Sequence, residues 1–108
     1  MDEKFYIYNK FIGNFELVMG EKVTIEHLPN FDFFVHLNNI QLNNKESWNV
    51  TESISGTTVT VNCSSKEEAI VKAETNLKKI TREKLIGLVM DRILIYGISP
   101  RYISKVIP

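Results

Sequence analysis

Apolar residues recur mostly every second position from Phe5 to Cys63 and then switch to a helical period, so the chain divides at about residue 63. In the first part Phe15, Leu17 and Met19 alternate with Glu16 and Val18, and Val23 and Ile25 alternate with Lys22, Thr24 and Glu26. Gly20-Glu21 lies between these two runs and is expected to turn a hairpin there. A further strand is predicted from Phe31 to Leu37, with Phe31, Phe33 and Val35 on one face and Asp32, Phe34 and His36 on the other. Phe34 breaks the amphipathic pattern, which predicts that part of the second face is covered too. Trp48, Val50 and Glu52, then Val59, Val61 and Cys63, form two more alternating runs joined by a turn at Ser55-Gly56.

Between these runs, Asn38 to Glu46 is a polar stretch with four asparagines, whose side chains compete for local backbone hydrogen bonds and tolerate turn conformations. It is the best candidate in the sequence for an exposed, adaptable loop.

Beyond Cys63 the helix signals are strong. Ser65 can cap a helix from about Lys66 to Ile80, Glu68 can reach back across the first turn, and acidic residues there favour the helix dipole. Ala69, Ile70, Ala73, Leu77 and Ile80 fall on one stripe, predicted to pack on the sheet, while Glu68/Lys72 and Glu74/Lys78 have ion-pair spacing. Thr81 can cap a second helix from about Arg82 to Tyr96, with Gly97 as a left-handed end. Its apolar residues (Leu85, Ile86, Leu88, Val89, Met90, Ile93, Leu94, Ile95 and Tyr96) surround most of the circumference. Such a helix needs burial on more than one side, which points to a dimer contact or a groove for a partner. Ser99 and Pro100 can start one further short turn of helix.

The expected fold is therefore α+β: an antiparallel sheet of four or five strands followed by two C-terminal helices packed on one face. At 108 residues the chain is a single domain, 1–108, mainly strands over 1–63 and mainly helices over 64–108. The segment Trp48 to Leu77, strand, hairpin, strand and then a Ser-Lys-Glu-Glu-Ala helix start, resembles the sheet-then-helix units of small phage-borne and bacterial proteins.

The net charge of zero hides an asymmetry. Residues 1–62 hold four lysines against eight carboxylates, a balance of −4, and residues 63–108 hold nine bases against five, a balance of +4. Such a distribution can orient a binding partner or a second copy of the chain. One cysteine excludes an internal disulfide and a cysteine-rich zinc site, and fits a reducing compartment. The Met-Asp-Glu-Lys start lacks a signal-peptide pattern, and the apolar-rich stretch Leu85 to Ile98 is too short and charged to span a bilayer. A cytoplasmic protein with no membrane partner is expected.

Candidate chemistry is sparse. His27 and His36 show no close ligand pair at a metal-binding spacing, even with Cys63, Asp32 or Glu26 added. Cys63 lies in no nucleophile-elbow or cysteine-protease segment, and its alternation with Val59 and Val61 predicts a buried side chain. The five scattered glycines make no phosphate-binding loop. No catalytic residue, metal or cofactor is assigned, and a non-enzyme is expected.

Two functional readings of different classes follow. In the first, a small module, homodimeric through the second helix, binds another protein as an inhibitor or adaptor of phage or mobile-element type, with Trp48, Leu88, Leu94 and Tyr96 as interface residues. In the second, Lys78, Lys79, Arg82 and Lys84 gather at the junction of the helices as a phosphate-tracking face for nucleic acid.

Overall fold

A computed structural model describes residues 2–38 and 46–106, with side chains as far as residue 103. Five strands, β1 (Glu3–Asn9), β2 (Asn14–Val23), β3 (Phe33–Leu37), β4 (Trp48–Glu52) and β5 (Thr58–Cys63), form one antiparallel sheet in sequential order. Three helices follow: α1 (Lys66–Lys78), α2 (Arg82–Tyr96) and α3 (Pro100–Val106). The α+β architecture expected from the hydrophobic pattern is present, with the sheet at five strands. The polar loop expected over Asn38–Glu46 lies outside the described residues except at its two ends.

The turn expected at Gly20-Glu21 does not exist. β2 runs unbroken from Asn14 to Val23, and its hairpin with β1 turns at residues 10–13 instead. There Asn9 Oδ1 accepts from the Phe11 N–H at 2.9 Å, the Gly13 N–H donates to the Asn9 carbonyl at 2.9 Å, and Gly13 takes φ +65°. Gly20 serves another purpose. A Cβ there would sit 2.9 Å from the Val35 carbonyl oxygen and 3.0 Å from the Phe34 ring, so the missing side chain makes room for close packing across β2.

Alternation along the strands produces two cores. On one face Val23, Phe33, Val35, Val50 and Cys63 meet Ala69, Ala73 and Leu77 of α1, as the helical stripe predicted, and Ile25, Leu28, Leu85 and Val89 complete the cluster. The alanines leave no bulk between helix and sheet, so α1 can approach closely. On the other face Phe5, Val18 and Phe34 form a second, smaller cluster, with His36 of β3 and Thr51 of β4 also buried. Phe34 thus belongs to a real core, which accounts for its break in the amphipathic pattern.

The expected face of Val59, Val61 and Cys63 is corrected by a bulge. Asn62 adopts φ +59°, its N–H donates to Asn49 Oδ1 at 3.0 Å, and the register with β4 shifts. Thr60 and Cys63 are consequently buried while Val61 is exposed, because the extra residue reverses the alternation.

The β4–β5 turn is organised by Glu52, a fully buried carboxylate. It accepts from the backbone N–H of Ile54 and of Ser55, each at 2.9 Å, and from the Ser55 hydroxyl at 2.6 Å. Charge-assisted bonds of this kind offset the desolvation of the carboxylate. The C-terminal segment docks on the same turn, since the buried Ser99 donates its N–H to the Ile54 carbonyl at 2.8 Å.

The helix starts follow local chemistry. Ser65 Oγ accepts from the Glu68 N–H, and Thr81 Oγ1 accepts from the Lys84 N–H. The Glu68 carboxylate reaches one residue further back than a simple capping box, taking the N–H and hydroxyl of Ser64, which holds it below the usual carboxylate range. The Glu68–Lys72 pair closes to 3.9 Å, whereas Glu74 and Lys78 form no ion pair. α1 ends at Lys78 rather than Ile80, and Gly97 ends α2 with φ +90° but an extended ψ of −176° instead of a left-handed helical cap.

Candidate protein interface

The described surface of α2 differs from that of α1. Leu85 and Val89 are buried, and Arg92, Ile93 and Tyr96 are half-buried on the same side. The rest of the circumference faces outward, including Ile86, Leu88, Met90, Leu94 and Ile95. Leu94 is 80% exposed and Ile95 68%, high values for large aliphatic residues, in the last turn of the helix.

At 100° per residue these side chains fall into two stripes. Ile86, Met90 and Leu94 follow one another at intervals of four. Lys84, Leu88, Asp91 and Ile95, spaced four, three and four, form the other, on the far flank of the buried side from the first. Gly87 stands between the stripes, and a Cβ placed on it would meet nothing within 4 Å. Beside the second stripe, a groove of about 210 Å³ is lined by Thr57, Val59, Leu77, Ile80, Leu85 and Leu88.

The interface residues named from the sequence therefore separate. Leu88 and Leu94 are outward, on different stripes. Tyr96 is half-buried, with its ring 4.0 Å from that of Tyr8 and the Arg92 guanidinium 5.0 Å from it, so it ties the end of α2 to β1. Trp48 packs half-buried against the main core at the opposite end of α1, with Lys66 Nζ 5.6 Å from its ring centroid. Lys66 also pairs with Glu21 on β2 at 2.8 Å, a bond that lowers the Glu21 pKa and raises that of Lys66.

Lys78, Lys79, Arg82 and Lys84 are all exposed around the junction of α1 and α2, and none forms an ion pair among the described residues. Lys78 also borders a cleft of about 350 Å³ shared with Glu26, His27 and Glu74, so the basic cluster has acidic neighbours.

Sequence reasoning had no access to the state of the sheet edges. On β1 the Arg101 guanidinium donates to the Lys4 carbonyl and to Glu3 Oε1 at 3.0 Å, while stacking 4.1 Å from the centroid of the Phe5 ring. On β5 the Asn76 amide donates to the Val59 carbonyl at 3.2 Å and to Thr60 Oγ1 at 3.0 Å. Side chains thus occupy backbone acceptors on both edge strands, which discourages growth of the sheet by strand addition.

The two histidines are held apart. His27 is exposed in a turn. His36 is buried on β3, where its Nδ1 donates to the Leu37 carbonyl at 3.1 Å and its Nε2 therefore accepts from the Thr51 hydroxyl at 2.9 Å. Burial lowers its pKa. Cys63 is buried, and the same desolvation pushes its thiol up. Among the described residues no three His, Cys, Asp or Glu side chains converge in an arrangement that could hold a metal ion, and no helix is long and apolar enough to cross a membrane.

Fold and surface together define a small α+β domain: a five-stranded antiparallel meander whose last long helix leaves its outer side uncovered. No protein-family model, curated protein or solved structure matches this chain.

Proposed function

We propose that this chain is a non-enzymatic protein-binding module whose contact element is α2, and that the first occupant of that helix is a second copy of the chain. The observation that carries this reading is the exposure of Leu88, Leu94 and Ile95 on a helix that buries only Leu85 and Val89 within its own chain. A side-chain bond to one backbone carbonyl on each edge strand disfavours strand pairing at those positions and favours association through side-chain surfaces. An adaptor or inhibitor acting in this way requires no catalytic group. The test is sedimentation over a concentration series. Concentration-dependent dimerisation, abolished in Leu88→Glu with the monomer fold retained, is expected; a wild-type chain that stays monomeric throughout overturns the reading.

A second reading is favoured by the four exposed bases at the α1–α2 junction, which form no ion pair among the described residues. Nucleic acid bound there would be released by salt, and replacing Lys78, Lys79, Arg82 and Lys84 with Ala would flatten the salt dependence, because each phosphate contact displaces counterions. Binding unchanged by salt or by the four substitutions removes this alternative.

A further inference from the structure

Resting on the reading that α2 is the contact element, we infer that two copies pair through antiparallel α2 helices about a two-fold axis at Gly87 and Leu88, with Lys84 of each copy facing Asp91 of the other.

In a two-fold antiparallel pair, residues at equal distances on either side of the axis lie at the same level on opposite helices. An axis between Gly87 and Leu88 brings Lys84 level with Asp91 of the second copy, and symmetry makes the same contact twice. Lys84 and Asp91 are seven residues apart and lie on the same outward stripe, so both can face the seam. Both are exposed, and neither forms an ion pair among the described residues. The two complementary charges are therefore free for an intermolecular contact.

The residues near the axis suit a close crossing. Gly87 presents no side chain, and the space a Cβ would occupy is open. Without that bulk the backbones can approach until Leu88, 43% exposed in one copy, packs against its symmetry mate. Gly in an exposed helix interior is destabilising by about 1 kcal/mol relative to Ala, so the position is poorly explained by the isolated helix alone. The same axis sets Ile95, 68% exposed, beside the start of the other copy's α2, where Ile80 immediately precedes the Thr81 cap. Ile80 lines the apolar groove of about 210 Å³ with Val59, Leu77 and Leu85, which offers the isoleucine side chain a receiving surface.

Registers displaced along the helix lose these coincidences. A shift that sets Leu88 against Asp91 places an aliphatic side chain against a carboxylate and leaves Lys84 beside Ile95. Complementary charges in a contact of this size act chiefly on register and specificity, with Leu88 and Ile95 supplying the apolar burial.

The decisive experiment is a reciprocal charge exchange read by analytical ultracentrifugation at low and moderate salt. Lys84→Asp and Asp91→Lys each place like charges in both symmetric contacts and are expected to weaken dimerisation by about tenfold or more. The double variant Lys84→Asp/Asp91→Lys restores opposite charges in both contacts and is expected to return the dissociation constant to within a few-fold of wild type. Both residues are exposed and unpaired among the described residues, so circular dichroism and thermal melts of all three variants should match wild type. Singles without effect, or a double variant weaker than either single, overturn the register. If Leu88→Glu still dissociates the dimer in that case, the α2 reading survives and the register alone fails. A wild-type chain monomeric at every concentration overturns both. Gly87→Leu gives an independent check, since it should block the close crossing while leaving the monomer folded; undiminished dimerisation of that variant overturns the proposed crossing point.

Discussion

Phe5 on β1 and Phe34 on β3 stack face to face across an intervening strand, with ring centroids 4.2 Å apart and planes inclined by 5°. Two strands that are not neighbours in the sheet can meet this way because Gly20, between them on β2, has no side chain. The stack closes the smaller core and brings β1 under Arg101 of α3. A glycine that looks like a turn residue in the sequence is, in the fold, the gap through which two aromatic rings touch.

Gly20→Ala should accordingly destabilise the protein. Its methyl group would press on the Val35 carbonyl oxygen at 2.9 Å and on the Phe34 ring at 3.0 Å, and the backbone oxygen cannot move aside alone. Overpacking of this kind costs about 1–3 kcal/mol. Urea denaturation followed by tryptophan fluorescence would measure it; a midpoint equal to wild type would contradict the packing role of Gly20.

His36 should make stability pH-dependent. Burial holds its folded-state pKa below the ordinary 6.5, so as pH falls the unfolded chain takes up a proton before the folded one. The stabilisation is fully present above about 6.5 and is lost progressively as pH drops below that value. Glu21 and Glu68, whose pKa values are held below 4.5, make their losses at lower pH still. His36→Leu should flatten the profile between pH 7 and 5 whatever its effect on absolute stability, and a profile with unchanged slope would count against the assignment.

Cys63 should be inert in the folded protein. Its side chain is buried in the main core, and desolvation disfavours the thiolate that reacts with disulfide reagents. Modification by a chromogenic disulfide at neutral pH should proceed at the rate of unfolding and become immediate in denaturant. Rapid stoichiometric modification under native conditions would show the thiol to be accessible.

Arg101→Met should loosen α3 from the sheet. The substitution keeps apolar bulk over Phe5 but removes the cation over its ring and the bonds to Lys4 and Glu3, together a loss of about 1–2 kcal/mol. Hydrogen exchange should quicken most in β1 and α3 while the α1-covered core keeps its protection. Uniform acceleration across the molecule would instead assign Arg101 a general role in stability.

Much of the fold is written in short-range chemistry. Ser65 and Thr81 cap the helices predicted to begin after them, because an N-cap needs only a side-chain oxygen and the N–H three residues on. The alternation in β3 and β4 marks their buried faces for a similarly local reason: successive side chains point to opposite sides. Local rules fail where the deciding contact is distant in sequence. Gly20 carries the same turn signal as Gly13, and only the rings of Phe5 and Phe34 distinguish the two. The bulge at Asn62 depends on Asn49, thirteen residues earlier, and reverses the positions of Val61 and Thr60. In the same way, the apolar sequence of α2 announces that the helix needs cover without saying which side receives it. Packing against Leu77 and the sheet takes Leu85 and Val89, while Tyr8 takes Tyr96, leaving Lys84, Leu88, Asp91 and Ile95 facing outward. Hydrophobic periodicity defines a helix and its faces, but which face stays free is decided by every other element competing for the same core.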